Sequence, residues 1–471
     1  MDEQFAWMPA TEMADAIRRR ALSPVEVARA TLDRLEALDP ALNAFTIVTA
    51  DIALRDARAA EDAIMRGDDV GPLHGVPVTI KDLFDVEGLP TTKGSRLYKD
   101  NIATGWEYSA KRLIDAGAVL IGKTTTPEFG FVAITQSSLF GATYNPWDIR
   151  RTPGGSSGGA AAAAAAGIGP LHHGSDGGGS IRIPANFCGV FGLKPTYGRV
   201  PKLPGGWSTM THRGPITRTV ADAAIMLDVM AGYEPGDPFS VPTYPGSFLG
   251  EIEGGVRGLR VAFSRDFGFA PVEPEVADIC QRAAKRFAEL GCEVEEADPG
   301  FGPQTETFLR VATPADAAWI GDLTAEQRAL LDPPASFFYE YGKGLSAVDH
   351  VRAQQARMDL WHTMRRFHQR YDLLLAPVTS CTAFPVGEEP KQIAGLDIPP
   401  SGWMPFTQPF NLTGQPAASL PAGFDAHGLP VGLQVIGRAY EDALVLRACR
   451  AFEQMQPWSD RKPDVAAFAA A

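Results

Sequence analysis

The chain has 471 residues, 45% of them apolar, which is enough material for a large buried core. Its net charge of −13 and the lack of a basic stripe exclude a typical nucleic-acid-binding protein. The start of the chain has no apolar signal segment and no run of about 18 apolar residues occurs, so we expect a cytoplasmic protein without a membrane partner. Five scattered cysteines indicate ordinary buried thiols in a reducing compartment: Cys188, Cys280, Cys292, Cys381 and Cys449.

The first 65 residues are predicted to be helical, because Ser23-Pro24-Val25-Glu26 has the pattern of a capping box with proline at the first helical position. Short apolar runs then predict strands at 76–80, 118–121, 259–263, 371–376, 417–420 and 431–436. Helical spacing predicts helices at 107–116, 220–230, 274–290 and 347–370. This alternation predicts an α/β fold whose sheet is covered by helices on both faces.

Residues 298–346 look irregular and carry many aromatic side chains. Two interpretations stay open: ordinary packing, or a cover over a pocket. No linker rich in serine, glycine or charge divides the chain, so we predict a single domain. Within it we distinguish an N-terminal helical segment (1–65), a catalytic core (66–235) and a variable cover region (298–346).

Residues 117–124 match the G-x-x-x-x-G-K-T phosphate-binding loop letter for letter. In such a loop a strand precedes the glycines and a helix begins at the lysine. Here the predicted strand lies inside the motif, and Pro127 follows without helical spacing. The sequence therefore does not predict a phosphate site.

Residues 155–159 match the G-x-S-x-G nucleophile elbow, but no strand precedes them. None of the later histidines lies in a segment that marks it as a catalytic base: His212, His350, His362, His368 and His427. The sequence therefore disfavours an α/β-hydrolase.

His172 and His173 form the only adjacent histidine pair. A zinc site needs further ligands at suitable spacing, and none is present. We expect the pair to end a strand near the site, and we expect neither a metal nor an organic cofactor.

Three glycine-rich or lysine-containing segments carry the chemistry. Residues 75–82 place Lys81 at the end of an apolar strand, which alone would indicate a surface cation. Residues 153–159 (PGGSSGG) open onto seven alanines, and residues 174–184 (GSDGGGSIRIP) place three glycines before a serine. Consecutive glycines let backbone N–H groups converge, as an oxyanion hole requires.

With these segments the chain resembles the amidase signature family of Ser–cis-Ser–Lys hydrolases, in the branch of small-molecule amidases, aryl acylamidases and carbamate hydrolases. The resemblance runs from about residue 22 to 452 and includes GKTTTPEFG (122–130), FGLKPTYGRVP (191–201) and NLTGQPAASLPAGF (411–424). It implies one amidase signature domain with a large mixed β-sheet. It also implies hydrolysis of a non-peptide C–N amide bond, in a monomer or homodimer.

The resemblance assigns roles to individual residues. Ser180 matches the nucleophile, Ser156 the serine with a cis peptide bond, and Lys81 the base. Ser157 matches the neighbour that helps to hold the hydrogen-bond network. A lysine with a pKa of about 10.4 is neutral in only about one molecule in 2,500 at pH 7, so Lys81 must be buried for its pKa to fall.

The loop around the nucleophile matches the family in two further respects. Its backbone amides match the oxyanion hole: Gly177, Gly178, Gly179 and Ser180. Asp176 and Arg182 match a charged pair that fixes the loop. Gly177 departs from the family, which more often has Ile or Thr there, and this puts the breadth of accepted substrates in doubt.

The substrate is predicted only by class, as an apolar or aromatic small-molecule amide. Candidate pocket residues come from two segments: Phe131, Ile134, Thr135 and Gln136 in one, and Trp403, Met404 and Phe406 in the other. The second group has an alternative interpretation, since these side chains pack equally well beneath the site.

Two other reactions stay open. A carbamate or ester hydrolase would use the same acyl-enzyme chemistry. The glutaminase subunit of a tRNA-dependent amidotransferase is disfavoured, because that branch has an aspartate seven residues before the asparagine that matches Asn411. Here that position is Met404, which cannot compensate the charge of the glutamine amino group.

Overall fold

The structure is a computed structural model that describes residues 3–203 and 208–469. Its strands are β1 (Phe45–Val48), β2 (Pro77–Lys81), β3 (Val119–Thr124), β4 (Gln136–Ser137), β5 (Gly141–Ala142), β6 (Leu171–Asp176), β7 (Phe191–Lys194), β8 (His212–Thr217), β9 (Arg260–Phe263), β10 (Glu293–Glu296), β11 (Leu373–Pro377), β12 (Gln392–Ile393), β13 (Leu396–Asp397), β14 (Ala417–Phe424) and β15 (Pro430–Ile436).

The α-helices are α1 (Glu3–Ala6), α2 (Ala10–Arg18), α3 (Pro24–Leu42), α4 (Ala50–Arg66), α5 (Tyr108–Asp115), α6 (Gly158–Ala165), α7 (Arg182–Cys188), α8 (Val220–Met230), α9 (Phe248–Glu251), α10 (Pro274–Glu289), α11 (Thr305–Gly321), α12 (Ala325–Arg328), α13 (Pro333–Lys343), α14 (Ala347–Phe367), α15 (Gln408–Thr413), α16 (Asp442–Met455) and α17 (Ala466–Ala469). Short 3-10 helices lie at Arg96–Tyr98 and Glu128–Gly130. Within the described ranges, no helix combines the length and apolarity needed to cross a membrane.

Eleven strands of the described residues form one mixed sheet in the order β1-β3-β2-β6-β8-β7-β14-β15-β11-β9-β10. β2 is parallel to both of its neighbours, β3 and β6. The strands from β6 to β11 pair antiparallel, and β9 and β10 at the far edge are parallel again. This mixed sheet confirms the predicted α/β class.

Helices cover both faces of the sheet, because alternate side chains of a strand enter different cores. On β3, Leu120 packs with residues of α2, α8, α10 and α16, whereas Val119 and Ile121 pack with residues of α3 and α4. On β11, Leu375 joins the first of these cores and Leu374 joins a third one. The apolar runs of the sequence are therefore strands buried on both sides.

The six predicted strands correspond to β2, β3, β9, β11, β14 and β15, with ends that differ by at most four residues. The N-terminal segment is helical except for β1, which pairs with β3 at the sheet edge. Ser23 is the N-cap of α3 as predicted, since its Oγ accepts from the amides of Val25 and Glu26. Its hydroxyl donates to Glu61, however, so the carboxylate partner comes from α4.

The prediction that residues 298–346 are irregular was wrong, because they contain α11, α12 and α13. The error comes from Pro314, which lies inside α11 but is typical of a helix end in a sequence. Proline has no N–H to donate to the carbonyl of Arg310, and His350 Nδ1 lies 3.0 Å from that oxygen instead. A side chain of α14 thus supplies the hydrogen bond that α11 lacks.

The central parallel strands bring two predicted site segments together. Lys81 is the last residue of β2, and Asp176 is the last residue of the adjacent β6. Because β2 and β6 are parallel, their carboxyl ends lie at the same edge of the sheet, where open α/β sheets bind their ligands. The glycine-rich loop 177–181 continues directly from that edge.

Candidate active site

Lys81 is completely buried and contacts three serine hydroxyls. Its Nζ donates to the Oγ atoms of Ser156, Ser157 and Ser175, at 2.7, 2.9 and 3.0 Å. Ser157 also donates its own hydroxyl proton to the carbonyl of Ser175. The Ser157 oxygen must therefore accept from Lys81, which fixes the direction of this part of the network.

Burial is the main cause of the electrostatic state of Lys81. Desolvation lowers its pKa well below the ordinary value, and the positive charge of Arg213 adds to this effect. The carboxylate of Asp176 opposes it but does not cancel it. The structure thus provides the burial that the sequence required for a neutral lysine.

Ser156 enters the site through a cis peptide bond from Gly155. A Cβ atom on Gly155 would lie 2.6 Å from the backbone carbonyl carbon of Ile134, so the close approach of these two backbones requires glycine. Two residues later, α6 begins at Gly158 and carries its alanines into the buried core. Small residues therefore allow the serine loop to lie deep in the molecule.

Asp176 and Arg182 form a buried bidentate ion pair beneath the glycine loop, with N–O distances of 2.8 and 2.9 Å. The remaining N–H groups of Arg182 donate to oxygens of Thr407, Asn411 and Gln434. Burial opposes ionisation of Asp176, but the charge and hydrogen bonds of Arg182 outweigh it and lower the pKa of the carboxyl group. Every donor of the guanidinium is thus satisfied without solvent.

The backbone amides of the loop differ in availability. The Gly179 amide donates to Asp176 Oδ1 at 2.8 Å, so it is already engaged, which corrects the expectation that it belongs to the oxyanion hole. Gly177, Gly178 and Ser180 line the cavity above the loop. Gly179 has φ +133°, and a Cβ there would lie 2.5 Å from a threonine oxygen, so this position needs glycine.

The three serines Ser156, Ser175 and Ser180 open into a cavity of about 610 Å³. Most of its wall is apolar, and the larger apolar side chains on it are Leu83, Phe129, Phe131, Val132, Ile183, Met210, Phe308, Val311, Phe338 and Met404. Polar side chains of the helical cover also reach it: Asp316 from α11, and His350, Gln354 and Arg357 from α14. The described residues thus enclose a large apolar space with a few polar groups, as a small-molecule site requires.

The predicted pocket residues divide into two groups. Phe131 and Met404 line the cavity. Among the described residues, the other five do not line it, and the expectation for them is corrected here: Ile134, Thr135, Gln136, Trp403 and Phe406.

The reason is that four of these side chains support the walls from behind. Trp403 is buried with its ring stacked on Phe187, and Phe406 packs against Phe267. Ile134 joins the same apolar cluster as Trp403.

Thr135 and Gln136 differ from the other three. Thr135 Oγ1 donates to the carbonyl of Gly154 and accepts from the amide of Gly158, so it holds the serine loop. Gln136 is exposed in the short hairpin of β4 and β5. Hydropathy and proximity in sequence do not distinguish these supporting positions from lining ones.

Several cavity residues were missed in the sequence. Ser175 has a detectable signal, because it is a small polar residue in a buried strand beside the one that ends with Lys81. Phe308, Phe338 and His350 lie in or beside the cover region, where no motif marks them. His350 was dismissed as a base, yet it lines the cavity, with Nδ1 near the Arg310 carbonyl and Nε2 facing Gln354.

The histidine pair begins β6, so the expectation that it ends a strand was wrong. His172 Nδ1 lies 2.9 Å from Thr79 Oγ1, and His173 Nε2 lies 2.8 Å from Ser109 Oγ. Burial lowers the pKa of each imidazole to about 3, with a smaller contribution from nearby arginines. In the part of the chain that the structure describes, no group of three His, Cys, Asp or Glu side chains is arranged to hold a metal.

The two rejected motifs are engaged in the fold. Lys123 of the phosphate-loop motif lies in β3, and its Nζ is 2.8 Å from Asp82 Oδ1, with both side chains buried. The serine motif at 155–159 is followed by α6, and no strand of the described residues ends directly before it. Neither motif therefore has the geometry of its namesake.

Comparisons with known proteins agree with this geometry. A family model described as "Amidase" matches residues 26–446. The chain is 43% identical to the acylamidase of Rhodococcus erythropolis, covering 98% of both chains, and 36% identical to a glutamyl-tRNA(Gln) amidotransferase subunit from Moorella thermoacetica, covering 98% of this chain and 99% of the relative. The crystal structure of a bacterial aryl acylamidase has a TM-score of 0.92 at 35% identity, covering 98% of this chain and 99% of that one.

Proposed function

The chain belongs to the amidase family and is a hydrolase of C–N bonds in non-peptide amides, and we propose that Ser180, Ser156 and Lys81 carry out this reaction. One observation carries the proposal: a fully buried lysine, with a lowered pKa, contacts the hydroxyl of a serine that shares a cavity with Ser180. A base of this kind makes a serine hydroxyl nucleophilic without histidine.

In the proposed acylation step, Ser180 Oγ attacks the carbonyl carbon of the amide. Its proton passes to Ser156 Oγ, and the Ser156 proton passes to the lone pair of neutral Lys81. In the described structure Ser156 Oγ is bonded to Lys81, and no hydrogen bond joins it to Ser180. The two hydroxyls must therefore come into contact when substrate binds, as catalytic hydrogen bonds often do.

The second half of the reaction reverses the relay. Lys81 returns the proton through Ser156 to the nitrogen of the departing amine, and the C–N bond breaks. A water molecule then attacks the acyl ester on Ser180, gives its proton to the same relay and releases the carboxylic acid. Ser157 and Ser175 hold Nζ in place through both steps.

The negative oxygen of the tetrahedral intermediate needs donors fixed in advance. We assign this role to the amides of Gly177, Gly178 and Ser180. Asp176 and Arg182 fix the loop from below, since both are buried and the Gly179 amide is bonded to Asp176. Their proposed role is positional.

The proposed substrate is a small amide with an apolar or aromatic group. Phe129, Phe131, Phe308 and Phe338 give the cavity aromatic walls, and burial of such a group is favourable by about 25 cal/mol per Å². We propose that the enzyme acts in the cytoplasm as a monomer or homodimer, without a nucleic acid or membrane partner.

A carbamate or ester hydrolase is the alternative, because acyl transfer to Ser180 follows the same steps for these bonds. The glutaminase role is less favoured. Met404 lines the cavity at the position where that branch has the aspartate for the glutamine amino group.

Incubation of the purified chain alone with short acyl and aroyl p-nitroanilides tests the proposal. We expect release of p-nitroaniline without any partner protein. Release of p-nitrophenol from matched esters or carbamates, with no anilide turnover, would instead support the alternative. No turnover of any of these substrates would overturn the proposed function.

A further inference from the structure

We propose that Asp316 makes this cavity selective for substrates that carry a protonated amine remote from the amide that is cleaved. This inference rests on the proposed function and deepens it, because it assigns a substrate class to the same cavity. The carboxylate belongs to α11, in the helical cover, and not to the segment before Asn411.

Asp316 is the polar exception on an apolar helix face. Phe308, Ala312 and Asp316 follow each other at intervals of four residues, so they lie on one side of α11, and all three line the cavity. The other lining residues of this helix, Val311 and Ala315, are also apolar. An acidic side chain on such a face is costly unless it has a partner, and the cavity is where that partner can bind.

The position of α11 sets the distance from the reacting centre. The Phe308 ring covers the glycine loop, with an atom 3.0 Å from where a Cβ on Gly178 would lie. Asp316 is eight residues further along the helix, which corresponds to about 12 Å of axial rise. The carboxylate therefore lies away from Ser180 and meets the distal part of a bound substrate.

Aromatic rings surround this part of the cavity. Trp319, one turn after Asp316, packs edge-on against Phe129 with ring centres 4.8 Å apart. Phe131 stacks on Phe338 with ring centres 4.7 Å apart. Aromatic faces attract cations, and a carboxylate beside them adds full charge complementarity. This combination favours an ammonium group over a neutral polar one.

No cation of the protein neutralises Asp316. Among the described residues no lysine, arginine or histidine nitrogen lies within 4.0 Å of its carboxylate. Burial raises the pKa of Asp316 to about 7, while the nearby Trp319 favours the ionised form. An ammonium ion in the cavity would supply the missing charge and stabilise the carboxylate.

The other charged or titratable side chains that line the cavity are His350 and Arg357, both from α14. Arg357 donates to the carbonyl of Leu412 and to the oxygens of Thr209, so it is held by the protein. The lining residues from 129–133 and α13 are uncharged. Asp316 is thus the only acidic side chain among the described residues of this wall.

Two matched substrate series test the inference. One compares ω-aminoacyl p-nitroanilides of increasing chain length with n-alkanoyl p-nitroanilides of equal length. The other places the charge on the leaving amine and compares 4-(aminomethyl)anilides with 4-ethylanilides. In at least one series we expect kcat/KM to be about tenfold or more higher for the amino substrate, because hydrogen bonds to charged groups are strong. The series that responds shows on which side of the amide the group binds.

Asp316→Asn should reduce the ratio of amino to alkyl kcat/KM to about one in the series that responds. Asp322→Asn is the matched control, since it removes the same charge from the exposed end of α11 and should leave the ratio unchanged. Turnover of the alkyl substrate shows in each case that the variant is folded. Equal rates for amino and alkyl substrates in both series, in the unmodified enzyme, would overturn the inference alone. Lack of turnover in both series would overturn the proposed function and this inference together.

A pH series gives a readout that a merely structural Asp316 would not produce. The ratio should fall as the pH decreases through about 7, because protonation removes the carboxylate charge. Any effect of Lys81 is common to both substrates and cancels in the ratio. The pH dependence should disappear in Asp316→Asn, and its persistence there would assign it to His350 and overturn the inference.

As a second measurement that needs no variant, n-octylamine should inhibit hydrolysis of the alkyl substrate more strongly than n-octanol. Equal inhibition by the two compounds would contradict recognition of the ammonium group.

Discussion

Replacement of Ser180 by alanine should lower kcat for p-nitroanilide hydrolysis by at least about a thousandfold, because the acyl-enzyme cannot form without this hydroxyl. The substitution removes one oxygen from the wall of the cavity and leaves the Asp176–Arg182 pair untouched. We therefore expect the variant to fold and to bind substrate. Steady-state rates with the same substrate, enzyme concentration and pH measure the effect.

Ser336→Ala is the matched control for this experiment. Ser336 is exposed on α13 and lies outside the residues that line the cavity, so its loss should not change the rate. Equal rates for Ser180→Ala and the unmodified enzyme would refute the assignment of the nucleophile.

The second large effect is that of pH and Lys81. Burial lowers the pKa of Lys81, and only the neutral amine accepts a proton. Activity should therefore be full above this lowered pKa and fall as the pH decreases through it. A profile of kcat/KM from pH 5 to 9 with a neutral substrate measures the acid limb.

Lys81→Ala should reduce the rate by about 10²–10⁴-fold and remove this limb. Lys285→Ala is the control, since Lys285 is an exposed lysine on α10 and should change neither the rate nor the profile. A flat profile from pH 5 to 9 in the unmodified enzyme would refute the proton relay.

The sequence predicted much of the fold because its strands are buried on both faces. Continuous apolar runs such as 431–436 are recognisable for this reason, and β15 follows that run almost residue for residue. The exposed edge strand β1 has no such run and was missed. Polar strands such as β6, with His172 and His173, were also unrecognisable because their partners lie on distant segments.

The reacting groups were predictable because glycine and serine motifs keep them close to fixed backbone segments. The structure brings Lys81, Ser156 and Ser157 into hydrogen-bonding contact, and their catalytic roles stay predictions. The walls were less predictable, since side chains from α11, α13 and α14 reach the cavity through long-range packing. Pro314 concealed α11, and with it Asp316, from any prediction based on local helical pattern.

The most direct test of the central claim is to trap the acyl-enzyme. A p-nitrophenyl N-alkylcarbamate transfers its carbamoyl group to the nucleophile and releases p-nitrophenol, and an acid quench preserves the adduct for mass spectrometry. Fragmentation of the peptide that spans 152–182 distinguishes Ser180 from Ser156, Ser157 and Ser175. We predict one carbamoyl group per chain, located on Ser180 and absent from Ser180→Ala. An adduct on another of these serines, or p-nitrophenol release with no adduct at any quench time, would contradict the mechanism.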